Sequence, residues 1–571
     1  MFSTSLTSTI RQRAKYEKEL VQSIRIYLKE NNLILRRTTD QRNNFYLGNR
    51  KDFEDKANEY IMKTDDFEYC QDVNETNLRQ TYKYLNEIVR SINSDIKKMF
   101  DSKKGKDNDP MKLHIDFDQI QLSYLYFLPD VSKRNDISLK AIIAGSSKSS
   151  ITSRLSQFLD ELLRPITQRA IEPTTFINGI DFLQKLNLYI NDKKNDFNSK
   201  TMLVTITIKN YHTMIPHGKM LTTLENFLND QLGYSAFVGN ISQRKALDLT
   251  GLFLRNNYFY YNNKIYRCTR GSPKGLVLSE TLCHIYAFHW QKLLLEKLSL
   301  PTQFYGRYND FSCFYHTQTK LMSKSNLFFT WNRSTNALRE ILQTFGSEHA
   351  HIEFDIKIDS TVPFLDVHVE NYHGTLFTRV YHDSNSQKYT LSYVIGNSRS
   401  AHSHWLRSAL IRTVRYCISV YDFNQERLYL QATCLVNGYS LEFIDDRVRH
   451  FFKHFDGISL LSVSNQDEYD KLRRRLMNYI DEQKEYNFKN KELEKNKQLI
   501  RLNYLHEFGR KHEFNRQLKE ILSNKLVDKK IPFIKQQLTI NLKTIHQYSL
   551  NGLLSQQKPS HPLFNKEKMF F

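Results

Sequence analysis

Residues 303–316 read QFYGRYNDFSCFYH. An aromatic and apolar run enters the stretch Tyr308-Asn309-Asp310-Phe311, and a second apolar run leaves it. Two short strands rich in Phe and Tyr, joined by a tight turn with Asn and Asp, predict a β-hairpin whose tip presents Asp310. The residue after Asp310 is Phe311, so this tip offers one carboxylate rather than an adjacent pair.

Upstream of the hairpin, LSETLCHIYAFHWQKLLLEKL (278–298) predicts an amphipathic helix and YFYYNNKIYRCTRG (258–271) a hairpin turning at Asn262-Asn263. Residues 218–231 predict a helix, and MLVTITIKN (202–210) a buried or half-buried strand of high β-propensity. Helices are expected at 175–188 and at about 151–163, the second capped by Ser149 or Ser150. The polar Gly/Ser turn before it has Lys140 upstream and Lys148 inside. It reads either as a phosphate contact through backbone N–H groups and ammonium charge or as a solvated loop. Residues 53–99 read as helical, with a stripe of Leu78, Tyr82, Leu85, Ile88, Val89 and Ile92, and DSKKGKDNDP (101–110) marks a boundary.

Downstream, residues 317–336 read as a connection. ALREILQTF predicts a helix, and HIEFDIKI, VPFLDVHVE, GTLFTRVYH and LSYVIGN predict four strand segments. Residues 403–420 form a basic helix carrying Arg407, Arg412 and Arg415, and a helix pair over 422–452 breaks at Asn437-Gly438. From 466 onward Lys, Arg and Glu alternate with apolar residues at helical spacing.

A chain of 571 residues with 40% apolar residues, 37 Phe and 33 Tyr can bury several cores, which excludes global disorder. The net charge of +21 points to a polyanionic partner, with nucleic acid the first choice. Six scattered Cys form neither a CxxC pair nor a disulfide framework and suit an intracellular address, the nucleus being one candidate. No apolar run is long enough for a membrane span. The His349/His351 and His402/His404 pairs lack the converging ligands of a zinc site.

In order along the chain, LPDVSK (128–133), LKAIIAG (139–145), LVTITIKNYHTMIP (203–216) and YRCTRGSPKGLVLSETLCHIY (266–286) form a series of landmarks. RYNDF (307–311), VPFLDVHV (362–369) and LVNGYSLEFI (435–444) continue it. In order and spacing these segments resemble the reverse transcriptases of Penelope-like retroelements, distant relatives of telomerase. The resemblance covers roughly 120–450. It implies an α+β polymerase right hand of fingers, palm with an antiparallel sheet and thumb, with a helical N-terminal region and a helical C-terminal extension. The implied layout is 1–110 helical and basic, 111–202 fingers, 203–400 palm with a strand-rich part at 350–395, 401–540 thumb and helical extension, and 541–571 a basic tail. Strands near 203, 308, 352 and 362 would build the palm sheet. The family often adds a GIY-YIG endonuclease after the thumb, and the short basic stretch after IPFIK (531–535) leaves no room for one.

The resemblance also implies where chemistry would sit. Nucleotide addition needs divalent ions held by carboxylates, and the family places one Asp at the end of the first palm strand and two at the hairpin tip. Here those positions hold Thr207, Asp310 and Phe311, so one acid of three remains. Asp355, Asp359 and Asp366 could replace the missing acids only in a special register. Gly271, Gly275, Pro363, Asp366 and Gly438 match structural landmarks of the family. The expected activity is therefore nucleic-acid binding without polymerisation. RNA or an RNA/DNA hybrid is the expected partner, with no membrane, no resident metal and no cofactor. The expected contact residues are Lys133, Lys140, Lys148, Lys274, Arg307, Arg407, Arg412 and Arg415. Two alternatives stand beside it: an active RNA-directed DNA polymerase using other acids with Mg2+ or Mn2+, and a scaffold for a protein partner.

Overall fold

The computed structural model describes residues 8–38, 45–73, 78–100, 113–117, 120–130, 138–144, 150–192, 195–209, 215–233, 237–298, 304–308, 325–383, 388–389, 391, 398–494, 499–506, 515–518, 520–521 and 539–546. Two compact units emerge, one from residues 51–365 and 370–376, the other from residues 1–50, 366–369 and 377–556.

In chain order the first elements are α1 (Ser8–Glu30), the hairpin β1 (Leu33–Arg37) and β2 (Phe45–Asn49), α2 (Arg50–Lys63), β3 (Phe67–Asp72) and α3 (Leu78–Phe100). The N-terminal region is helical as expected and also holds three short strands. In α3 the buried positions Thr81, Leu85, Val89, Ile92 and Ile96 follow the helical period, as the sequence stripe predicts. Next come β4 (Ser123–Asp130), β5 (Ser138–Ala144), α4 (Ser153–Ile171), β6 (Thr175–Phe176), α5 (Gly179–Asn191), β7 (Met202–Ile208) and α6 (His217–Leu232). They are followed by β8 (Phe237–Val238), β9 (Ile241–Ser242), α7 (Gln243–Arg255), β10 (Tyr258–Tyr261), β11 (Lys264–Cys268), α8 (Val277–Leu298), β12 (Tyr305–Tyr308) and β13 (Ser325–Trp331). The series continues with α9 (Thr335–Glu348), β14 (Phe354–Asp359), β15 (Thr361–Phe364), β16 (Val367–Tyr372) and β17 (Thr375–Val380).

Local chemistry sets several boundaries. Asn178 caps α5, its Oδ1 accepting from the N–H groups of Ile180 and Asp181, so the helix starts after Thr175-Phe176 rather than at them. The N-cap of α4 is Thr152 rather than Ser150, its Oγ1 donating to Asn257 Oδ1, while Ser149 lies outside the described residues. That helix runs through Pro165 to Ile171, well past the expected end at 163. The buried side chains of Leu163, Thr167 and Ile171 hold the last turns despite the lost N–H. The β10–β11 turn does sit at Asn262-Asn263, both with positive φ (44° and 58°), the backbone that a two-residue hairpin of this twist requires.

The fold is α+β. One five-stranded sheet runs β3-β11-β10-β4-β5. The central sheet runs β14-β7-β13-β12-β6, with β6 parallel to β12 and the other pairs antiparallel. Its hairpin departs from the sequence reading. The strand that returns against β12 is Ser325–Trp331, in register Tyr305↔Phe329 to Tyr308↔Asn326, not the apolar run 311–316, which lies outside the described residues. From Leu327 to Trp331 every side chain of β13 is buried, so this central strand reads as a short continuous apolar run without alternation. The strand expected near 362 belongs to a separate three-stranded sheet, β15-β16-β17. The segment LSYVIGN lies outside the described residues apart from its first position.

One face of the central sheet meets α8. That helix, expected to be amphipathic, is buried along most of its circumference and touches α4, α6 and α9. Ser156 Oγ accepts from the Leu278 N–H (3.0 Å), and Thr281 Oγ1 donates to Asp160 Oδ1 (2.5 Å), which also pairs with Arg164 at 2.7 Å. The other face carries an aromatic cluster. The Phe328 ring lies 4.7 Å from Phe182, 5.2 Å from Phe364 and 5.9 Å from Phe304, while Phe176 packs 5.8 Å from Phe304.

The second unit is mainly helical: α10 (Ser398–Tyr416), α11 (Val420–Val436), α12 (Leu441–His454) and α13 (Gln466–Glu494), then the parallel pair β18 (Leu499–His506) and β19 (Thr539–His546). Ser419 caps α11 and Ser440 caps α12. The break between those helices falls where expected, with Gly438 at φ 86°, a conformation that L-residues rarely adopt. Buried Tyr469 of α13 donates to Cys417 O at 2.8 Å and anchors α13 to the end of α10.

Candidate nucleic-acid interface

At the end of β7, Thr207 lies opposite Asn326 of β13 on one side and Asp355 of β14 on the other, and Asn326 lies opposite Tyr308 of β12. Directly opposed residues share a sheet face, so Tyr308, Asn326, Thr207 and Asp355 form one row across four strands. Asp355 therefore lies directly opposite Thr207. Lys209, two residues beyond Thr207, places Nζ 2.7 Å from Asp355 Oδ1 in a half-exposed pair. Asp359 lies opposite Leu203, four residues away from the row, and Asp366 is not in this sheet. Asp310 and Phe311 lie outside the described residues, as do Lys133 and Lys148.

Cationic and imidazole groups gather beside this end. Lys219, in the first turn of α6, places Nζ 3.3 Å from His351 Nδ1, and Tyr286 Oη is 2.6 Å from His351 Nε2. With an ammonium donating to Nδ1, the imidazole proton sits on Nε2 and is donated to the tyrosine oxygen. Burial, then the charges of Lys219, His349 and Arg270, push His351 down to about 4. His217 Nε2 donates to Gly271 O at 2.9 Å, and burial lowers the imidazole pKa. Gly271 donates its N–H to Ile215 O (2.9 Å), which ties the glycine loop to the segment leading into α6. Gly271 and Gly275 hold φ of 57° and 102°, so both expected landmarks sit where a side chain would strain the backbone.

The six described cations of the expected contact set are all buried or half-buried. Arg307 is the clearest departure: it has no solvent exposure. It faces α8 and β6, with Nη1 3.1 Å from Gln291 Oε1, Nε 3.3 Å from Thr175 Oγ1 and the guanidinium 5.3 Å over the Phe288 ring. Its parity on β12 is opposite to that of Tyr308, which turns it into the core and away from any phosphate. Lys140 lies on β5 opposite Leu128, and Lys274 bridges to Ala144 with its ammonium out of solvent. In the helical unit Arg407 reaches Tyr479 Oη (3.5 Å) and Arg412 pairs with Asp366 (3.6 Å). Burial pulls the Arg415 guanidinium pKa down. These arginines join elements within their unit. Pro363 sits in β15 between buried Val362 and Phe364.

The sequence reading missed Lys209, Lys219, Arg270 and His351. Period-two spacing from Thr207 is enough to put Lys209 on its face; the other three converge only through the fold. Among the described residues no three His, Cys, Asp or Glu side chains converge as metal ligands, and no helix is long and apolar enough to cross a membrane.

A family model described as an animal helix-turn-helix domain matches residues 390–449, which include α10, α11 and the start of α12. A search of curated proteins gives no match. Solved structures similar to this chain include telomerase from Candida albicans in complex with the TWJ fragment of telomeric RNA, at 9% identity and TM-score 0.49, covering 80% of this chain and 71% of that one. Apo telomerase from Candida tropicalis is similar at 10% identity and TM-score 0.41, covering 83% and 77%. The Sicinivirus 3Dpol RNA-dependent RNA polymerase is similar at 10% identity and TM-score 0.33, covering 64% and 71%.

Proposed function

We propose that this chain is a nucleic-acid-binding, reverse-transcriptase-like protein of the Penelope-like type that does not polymerise DNA. The observation that carries the reading is the row at the end of β7. Where the resemblance requires a metal-binding acid there is Thr207, flanked by the neutral amide of Asn326 and by Asp355, whose charge Lys209 balances. A hydroxyl and an amide are weak ligands for hard divalent cations, and an ammonium beside the one carboxylate repels them. Among the described residues this donor set does not fit a pair of Mg2+ or Mn2+ ions.

A basic surface without metal chemistry can still hold a duplex or hybrid through its phosphates. The net charge of +21, Lys219 and Arg270 beside His351, and Lys209 at the end of β7 support an RNA or RNA/DNA partner.

The test is primer extension on RNA and DNA templates in magnesium and in manganese, with affinity for the same substrates measured across a salt series and Asp310→Ala as control. Salt-sensitive binding without extension is the expected result. Extension that Asp310→Ala abolishes would overturn the loss of polymerase activity. Affinity that is weak and indifferent to salt would overturn nucleic-acid binding itself.

A further inference from the structure

Helix α1 packs on β1 along one narrow line. Among its described side chains only Val21 is buried, with Ile24 and Leu28 half-buried beside it. At a hundred degrees per residue, Lys15, Lys18, Gln22, Arg25 and Lys29 fall within about 80° of one another on a different side of the helix, and all five are exposed. No acid stands at these five positions. Glu19 and Glu30 lie beside the line, and Glu19 pairs with Lys15 at 3.8 Å with both side chains mostly in solvent, an arrangement that contributes little.

This spacing works against the bare helix. Lys15 and Lys18 are three residues apart and Arg25 and Lys29 four, so like charges meet on one surface and loosen it. A polyanion laid along the line turns that repulsion into attraction. From Lys15 to Lys29 the helix rises about 21 Å, and a nucleic-acid strand advancing about 3.4 Å per nucleotide offers about six phosphates over that length. The four cations therefore have phosphates within reach. A protein partner would ask for aromatic or apolar anchors at the centre of its contact and for few lysines. This line has a glutamine at its centre and cations on either side.

We propose that the exposed line Lys15, Lys18, Gln22, Arg25 and Lys29 of α1 is a second nucleic-acid contact, which neutralises the phosphates of one strand. It rests on the nucleic-acid-binding reading above and adds to it a surface in the other compact unit from the sheet end. The cations meet phosphates and read no base edge, so the contact is indifferent to sequence.

The experiment measures binding of the full chain to a labelled single-stranded RNA and to an RNA/DNA hybrid by fluorescence anisotropy, from about 50 to about 200 mM salt. One variant removes the line, with Lys15→Gln, Lys18→Gln, Arg25→Gln and Lys29→Gln together. A second lowers the net charge equally by removing four exposed cations of α3, with Lys83→Gln, Arg90→Gln, Lys97→Gln and Lys98→Gln. A third keeps the charge of the line, with Lys15→Arg, Lys18→Arg and Lys29→Arg. Each phosphate neutralised on a single strand contributes about 0.7 to the slope of log affinity against log salt, so loss of the α1 line should make the slope shallower by about 3 and weaken low-salt binding by about tenfold or more. The α3 variant and the arginine variant should keep the wild-type slope. A wild type that binds neither substrate overturns this contact together with the nucleic-acid-binding reading. Wild-type binding that the α1 variant retains, slope included, overturns the contact alone, and so does an equal loss in the α3 variant. Because Tyr16, Leu20 and Tyr27 of α1 are exposed as well, vesicles of phosphatidylcholine and phosphatidylserine are tested beside the RNA. Vesicle binding that the α1 substitutions abolish, with RNA affinity unchanged, would give the line to a lipid surface and overturn the proposal.

Discussion

The centre and the end of the central sheet lie on the same face of the same three strands, two residues apart, and are built of opposite materials. In the central row Gly306 lies against the Phe176 ring and Phe328 against Phe182, Phe304 and Phe364, with buried Thr205 opposite Phe328 and Lys357 of β14 at the edge. In the end row Tyr308, Asn326, Thr207 and Asp355 are polar, and Lys209 reaches in from beyond the strand. The central row specifies the fold and tolerates little change. The end row is held by its neighbours and is free to carry, or to lose, chemistry. Substitutions should therefore cost much in the first row and little in the second.

The largest effect is expected at Phe328. Truncating this fully buried ring (Phe328→Ala) removes its contacts with Phe182, Phe304 and Phe364 and leaves a cavity. Urea unfolding should show a loss of about 4 kcal/mol. Beside it, Gly306 has no room for a side chain: a Cβ there would run into the Phe176 ring, itself buried among other aromatics. Gly306→Ala should cost about 2 kcal/mol through overpacking, read as a lower urea midpoint with an unchanged slope. Near-neutral results for both would mean that the aromatic cluster is not the keystone of this unit.

A smaller effect, set by pH, is expected near the sheet end. His351 titrates near 4 in the folded protein against about 6.5 when unfolded. Above pH 6.5 neither state holds the proton and stability is full. As pH falls from 6.5 to about 4 the unfolded chain takes up the proton first, and stability is lost. The ring is only partly buried, so solvent screening reduces the effect to about 1 kcal/mol. Thermal melts of wild type should fall more steeply over this window than those of His351→Gln; parallel curves would count against the burial and cationic surroundings of His351.

The residues explain how much of this was legible. Asn262-Asn263 and Asn437-Gly438 announced their turns because a positive φ is a local demand that few residues meet. The α3 stripe was legible because one helix face repeats. β13 was hidden because burial on both faces erases alternation, leaving LFFTW inside a Lys/Ser/Asn-rich connection. Arg307 was misassigned because charge alone suggests a surface, whereas Gln291, Thr175 and Phe288 converge on it from sequence-distant elements. The end row was half legible. Thr207 could be placed at the end of its strand, but its pairing with Asp355 and the reach of Lys209 depend on the register of β14, which no local pattern encodes.

That pairing supports the finest prediction. Thr207→Asp restores the acid that the resemblance requires, directly opposite Asp355. If Lys209 already balances Asp355, the new carboxylate meets one partly neutralised neighbour, and stability should fall by roughly 0.5 kcal/mol through like-charge contact. Millimolar magnesium or manganese should leave the melting temperature of the variant where it was, because the Lys209 ammonium paired with Asp355 repels a divalent ion. Stabilisation of Thr207→Asp by the divalent ion, absent in wild type, would show that the end row is one substitution from a metal site. Abolition of that stabilisation in Thr207→Asp/Asp310→Ala would then assign Asp310 as its partner. The contrast between the rows would in that case lie in a single side chain rather than in the surrounding architecture.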